Sequence, residues 1–214
     1  MGSITRAQAA LFAAIAMVLL TGYYLVDDFA LIGNAPALVS LLIVLGSVVP
    51  SVVWVGFFFA VNRSPSSAKG AAWITLVFAV LLEAVVVYIR FQQSVGYWTP
   101  FGNALCLSGW LLRLGWAVFL ISFALAPHHQ RTRRVALVLA IVSAPSALSA
   151  AFDAFNTWIG LAFDDIPREA LWRVLITPAI RTIYWLSQIL FLWTAWGEPL
   201  RRDPIELSSA RFAP

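Results

Sequence analysis

The chain has 214 residues, of which 61% are hydrophobic and only 11% charged, with ten Trp and fifteen Phe. Soluble domains carry about 45–50% apolar and about 25% charged residues, so this composition excludes an ordinary water-soluble globule and points to a polytopic membrane protein. The formal net charge of +4 would invite nucleic acid in a soluble protein, but the basic residues sit mostly between apolar spans, where membrane orientation accounts for them without any nucleic-acid partner.

A membrane helix needs about 20 mostly apolar residues to cross a hydrocarbon layer of roughly 30 Å. Six segments qualify in chain order: Ala7 to Val26, Ala37 to Val61, Ala71 to Tyr88, Leu105 to Leu125, Val135 to Phe155 and Leu171 to Trp196. The first, flanked by Arg6, has too long an apolar run for a cleaved signal peptide and reads as a retained helix. It carries Ala9, Ala13 and Ala16, a spacing that lets another helix approach closely. The second, fifth and sixth contain Pro50, Pro145 and Pro178, each of which removes one backbone hydrogen bond. The fifth is also rich in small residues between Ala140 and Ala151, so it is expected to be the most crowded helix. The segment from Asp153 to Arg168, partly apolar, is expected to lie along the membrane surface. The residues after Trp196 form a short polar tail, so the domain reading is one six-helix domain over 1–200 and a cytoplasmic tail over 201–214.

Charge alternates along the connections. Arg6, Arg63, Lys69, Arg131, Arg133, Arg134, Arg201, Arg202 and Arg211 fall on one side, against Arg90 and Arg168 on the other, where Asp27, Asp28, Asp164 and Asp165 also lie. Nine against two is a positive-inside pattern, and it requires an even number of spans with both termini cytoplasmic. The expected fold is an all-α bundle of six transmembrane helices, and the expected location is a bacterial inner membrane, since a barrel would show short alternating strands. Tyr23, Tyr24, Tyr97, Trp98, Trp158, Trp193 and Trp196 stand where interfacial anchors are expected.

The motifs that would name a reaction are missing from the sequence. It has no phosphate-binding glycine loop, no His-Glu-x-x-His, no Gly-x-Ser-x-Gly and no clustered carboxylates. The single Cys106 excludes a disulfide framework or a Cys-rich metal site. His128 and His129, adjacent at the inner end of the fourth span, belong to a basic loop and cannot clamp a haem between two helices. No cofactor and no metal is therefore expected, and the balance leans away from an enzyme.

The informative residues are the ionisable ones inside the spans, each costing about 2.5–3.5 kcal/mol on insertion scales. At 1.5 Å per residue, Glu83 lies about 10 Å and Arg113 about 12 Å from the outer face. The third and fourth spans are consecutive and antiparallel, so a Glu83 to Arg113 ion pair is expected. Arg181 falls at about 15 Å and is expected in the same polar layer. It shares a face with Tyr184 and Gln188, and Asp153 near the outer end of the fifth span is a second acid. If Arg113 and Arg181 both face the interior, the positive excess would suit an anion, because a guanidinium fork binds carboxylate or phosphate. Three readings follow. The first is a protein that binds or transports a small anionic or amphipathic ligand, alone or within a larger complex. The second is an enzyme on a lipid or isoprenoid, with Glu83 or Asp153 as general acid. The third is an accessory subunit that works through contacts with a membrane-protein partner or a second copy, for which outward stripes of small residues on the first and fifth spans would speak.

Overall fold

The computed structural model of the chain describes residues 4–32, 37–93, 100–161 and 168–199, with side chains described for 4–25, 44–46, 48–84, 109–160 and 176–199. Every regular element among them is an α-helix: α1 Arg6–Ile32, α2 Ala37–Arg63, α3 Pro65–Gln93, α4 Pro100–Leu125, α5 Gln130–Leu161 and α6 Arg168–Gly197. The helix starts are set by side chains that satisfy the orphan amides of a first turn. At α1, Thr5 and Gln8 exchange reciprocal bonds, Gln8 N donating to Thr5 Oγ1 at 3.3 Å and Thr5 N to Gln8 Oε1 at 2.9 Å. Ser64 and Ser67 do the same at α3, with Pro65 in the first helical position. At α5 the cap is His129, whose Nδ1 accepts from Arg131 N at 3.1 Å. The two histidines thus serve the basic loop, as expected, one of them by starting a helix.

The helices run longer than the apolar segments that seed them. The largest difference is at α5, which continues as one helix through Phe155, Trp158 and Ile159 to Leu161. No separate surface helix begins at Asp153, because nothing between Pro145 and Leu161 breaks the helical path. Tyr97, Trp98, residues 162–167 and the tail after Pro199 lie outside the described residues, as do the side chains of Arg90, Cys106 and Arg173.

Each helix packs on its neighbours in sequence, and α6 returns to pack on α1, closing a ring. The α5 to α6 interface is the most extensive, as the small residues of α5 imply. Among the described residues no two helices on opposite sides of the ring approach each other at the backbone, so only side chains can fill the axis. One end of the ring gathers the start of α1, the α2 to α3 turn, the α4 to α5 turn and the end of α6 around a cavity of about 360 Å³. Arg6, Arg63 and His128 line it, so we call this the basic end and its opposite the far end.

Between the two ends, on the basic side, aromatic side chains occupy the axis. Phe57 and Phe58 of α2, Phe119 and Phe123 of α4 and Phe191 of α6 are all fully buried. Phe191 meets Phe58 at 5.2 Å, Phe119 at 6.1 Å and Phe57 at 6.2 Å between centroids, each edge to face. Edge-to-face pairs contribute about 0.5–1.5 kcal/mol each beyond their buried area. Trp116 shares the α4 face of Phe119 and Phe123 at i, i+3 and i+7 and stands edge-on to Trp54 at 5.1 Å. Ala9, Ala10, Ala13 and Ala14 of α1 and Ala136 and Ala140 of α5 close the wall around these rings. The small-residue stripes therefore face the bundle's own interior.

The outer surface is the reverse of a soluble protein's. Large apolar side chains stand exposed on every helix, including Val52, Leu81, Leu114, Leu148 and Ile183. Four helical stretches, Arg6–Leu25, Val44–Arg63, Pro65–Ala84 and Gln130–Gly160, are long and apolar enough to cross a membrane, and Gly109–Leu125 is a shorter apolar stretch. Within its described side chains, 176–197, α6 carries Thr177, Arg181, Tyr184, Ser187 and Gln188 among its apolar residues.

Two substitutions test this packing by thermal unfolding in a mild detergent. Phe191→Ala removes a ring shared by three others and is expected to cost about 3–5 kcal/mol. At the α4 to α5 contact, a Cβ on Gly115 would lie 2.8 Å from Leu139 Cδ1. Gly115→Val is expected to destabilise by about 1–3 kcal/mol, with Leu139→Ala in the same chain recovering part of the loss.

Candidate functional site

Beyond the phenylalanine rings, toward the far end, the ring holds a second cavity of about 660 Å³. Its walls come from α1, α4, α5 and α6. α1 and α4 lie on opposite sides of the ring, so this space faces the axis. α5 contributes Ser146, Ser149 and Asp153, which fall at i, i+3 and i+7 and make one polar stripe. Pro145 stands at the foot of that stripe, and its missing N–H leaves one carbonyl in the preceding turn without an intrahelical partner. α6 contributes Arg181, Tyr184 and Trp185, and α1 contributes Leu20 and Tyr24.

Arg181 Nη2 donates to the Tyr24 hydroxyl at 3.4 Å. One residue earlier on α1, Tyr23 meets Thr177 of α6 through their hydroxyls. These two contacts tie the far halves of α1 and α6 together. Tyr23 and Tyr24, expected as interfacial anchors, are thus engaged inside the ring. Asp153 is exposed to the cavity, and among the described residues neither it nor Arg181 forms an ion pair.

Just toward the basic end from the cavity, two polar side chains are buried in the wall. Gln188 follows Tyr184 by one turn and is 2% exposed, and Ser143 precedes Ser146 by three residues and is fully buried. Gln188 Nε2 and Ser143 Oγ have no hydrogen-bond partner among the described residues. Leaving a buried polar group unsatisfied costs about 1–3 kcal/mol, so these atoms are a concentrated polar strain beside the cavity.

The expected Glu83 to Arg113 pair forms across the α3 to α4 hairpin, with Arg113 Nη1 reaching both carboxylate oxygens. It sits outside the lining of the far cavity, on the opposite arc of the ring. Trp116, on the same side of α4 as Arg113, points to the axis, while Arg113 turns toward α3. The residues singled out from sequence therefore separate into three places. Asp153, Arg181 and Tyr184 line one cavity, Glu83 and Arg113 neutralise each other elsewhere, and Gln188 is buried below the cavity floor. The interior positive excess expected from two arginines does not arise, because each has an acid in its own surroundings.

Sequence reasoning missed Tyr24, Ser146 and Ser149. The serine stripe was legible as a helical spacing ending on Asp153. Tyr24 was not, because its role depends on α6 returning to α1.

At the basic end, Arg6 and Glu198 pair at 2.7 Å, joining the first helix to the end of the last. Arg6 also stands 5.7 Å from the Phe123 ring centroid, and His128 Nδ1 lies 3.8 Å from Glu198 Oε2. Arg133 Nε donates to the Trp196 carbonyl at 2.6 Å, satisfying one of the orphan acceptors at the end of α6. Among the described residues no group of three His, Cys, Asp or Glu could hold a metal ion.

The fold and site define a class: an all-helical protein with several helices apolar enough for a membrane and a polar cavity inside a closed helical ring. Comparison with protein-family models, with curated proteins and with solved structures returned no match to this chain.

The unpartnered amide gives a direct test of what Gln188 does for the fold. Gln188→Leu keeps the volume and removes the unsatisfied donor, so unfolding in detergent is expected to show unchanged or slightly raised stability, by up to about 1 kcal/mol.

Proposed function

We propose that the chain is an integral protein of a bacterial inner membrane that binds or transports a small anionic or amphipathic ligand in the far-half cavity, alone or as one subunit of a larger complex. The observation that carries this reading is the cavity itself: 660 Å³ of axial space lined by Arg181, Tyr24, Tyr184, Ser149 and Asp153 together with Leu20, Leu111 and Val142. Apolar walls with a few convergent polar groups are the usual form of a small-molecule site.

The membrane reading rests on the outward apolar faces and on the nine-to-two distribution of basic residues. In it all six helices span, both termini are cytoplasmic, and the cavity lies in the outer half. The polar residues of α6 serve the ring interior, where a membrane protein keeps them. The phenylalanine rings stop the cavity short of the basic end, which favours a site occupied from the outer side over an open pore.

The geometry lends less to the alternatives. A general-acid role for Glu83 would require its carboxylate to leave Arg113, which holds both of its oxygens. Docking of an accessory subunit through the alanine stripes would need them outside, whereas Ala9, Ala13 and Ala16 are at most 2% exposed within the chain itself.

Three outcomes are expected. In native mass spectrometry from mild detergent, wild type carries a stoichiometric small ligand that Arg181→Ala loses, while the Glu83→Gln, Arg113→Gln double variant retains it; equal retention in all three would remove the cavity from the function. In thermal unfolding, each of those two single substitutions is expected to destabilise more than the double, by about 1–3 kcal/mol, because a lone charge in a low-dielectric layer is worse than none. In intact cells, with Cys106→Ser as background, Ser64→Cys is expected to resist an impermeant thiol reagent and Asp164→Cys to react with it.

A further inference from the structure

The far cavity is lined by one acidic and one basic side chain that form no ion pair with each other. Arg181 on α6 and Asp153 on α5 line the same space on adjacent helices, yet they do not pair with each other or with any other described residue. In the same protein Glu83 and Arg113 do pair across a hairpin, as do Arg6 and Glu198 between the first and last helices. Opposite charges lining one cavity from two helices without pairing are complementary to a guest that carries both signs. A simple anion would gain Arg181 but would have to approach Asp153. The sequence adds Asp27 and Asp28 near the end of α1 and Asp164 and Asp165 between α5 and α6, a sign that again suits a guest with no net negative charge.

We infer that the cavity takes an amphipathic zwitterion. This deepens the ligand-binding reading and rests on it. The anionic group of the guest, a phosphate or carboxylate, is held by Arg181 with the Tyr24 hydroxyl that already touches it and the Tyr184 hydroxyl one turn away. Its ammonium group is held by Asp153, with Ser149 and Ser146 continuing the polar stripe toward the cavity floor. Leu20, Leu111, Val142 and Trp185 take the apolar remainder. An ethanolamine-type phospholipid and a free amino acid with an apolar side chain share this head chemistry. The cavity volume and its apolar wall favour the lipid.

The test uses the full chain, delipidated in a non-ionic detergent and titrated with three probes while adducts are counted by native mass spectrometry. The probes are dihexanoyl phosphatidylethanolamine, which is zwitterionic, dihexanoyl phosphatidylglycerol, which is anionic with the same tails, and leucine, a zwitterion without them. The expected result is one-to-one binding of the ethanolamine probe, about tenfold or more tighter than the glycerol probe. Asp153→Asn is expected to erase that preference while keeping the glycerol probe, and Arg181→Gln to weaken both lipids. Should Arg181→Gln not fold, Tyr24→Phe replaces it, with a smaller loss for both lipids. Leucine binding as tightly as the ethanolamine probe would assign the site to free amino acids and keep the zwitterion. Equal or stronger binding of the glycerol probe, untouched by Asp153→Asn but lost on changing Arg181 or Tyr24, would overturn the zwitterion and leave an anion site. Failure of all three probes in wild type, or binding indifferent to every variant, would overturn the cavity as a ligand site altogether.

Discussion

Six helices arranged in a ring leave an axis that the backbones cannot fill, and what occupies it decides everything else about this molecule. In the half nearer the basic end, five phenylalanines from three alternate helices meet there, while alanines on α1 and α5 let the remaining wall draw close. Interiors are close-packed, so bulky rings from α2, α4 and α6 demand small residues on helices between them. The division of labour is visible in the chain: α1 supplies almost nothing but alanine to the core, and α2 and α4 supply the rings. In the half nearer the far end no comparable rings converge among the described residues, and the same wall opens into the 660 Å³ cavity.

Charge follows the same geometry. Where two charged groups lie on neighbouring helices with no cavity between them, as at Glu83 and Arg113, they pair and cancel. At the basic end Arg6 and Glu198 pair beside the 360 Å³ cavity, with Arg6 5.7 Å from the Phe123 ring centroid. Arg181 and Asp153 face the open half and keep their charges separate, because the cavity lets each be directed into it. Gln188 Nε2 and Ser143 Oγ, without a partner among the described residues, lie at the boundary between the two halves, one turn from the cavity. These two buried polar atoms thus lie on α5 and α6, the pair with the most extensive interface.

How much of this was legible in the sequence depends on how local the information is. Glu83 and Arg113 could be paired by counting residues from helix ends, since consecutive antiparallel helices are bound to be neighbours. The capping Thr5 and Ser64 and the proline positions were equally local. The grouping of Asp153, Arg181 and Tyr184 with Tyr24 was not, because it requires α6 to close against α1 and both helices to be turned in a particular way. Nor did the sequence show which way the alanine stripes face: Ala9 and Ala13 look the same in the chain whether they meet a partner protein or the protein's own phenylalanines. The uninterrupted run of α5 past Asp153 shows a related limit, since an apolar stretch with scattered polar residues reads equally well as a surface segment or as one long helix.

By itself the sequence determined that the chain is helical, where its six apolar segments lie and on which end its basic residues collect. Length, apolar content and charge are summed along the chain, and sums survive any arrangement of the helices. Only the tertiary structure decided the ring closure, the convergence of phenylalanines on one half of the axis and the gathering of Arg181 and Asp153 around one cavity. The physical reason is that these helices are apolar on their outer faces as well as on their inner ones, so no contrast along the sequence marks the side that turns inward. Rotation about each helix axis is then set by packing between side chains far apart in the chain.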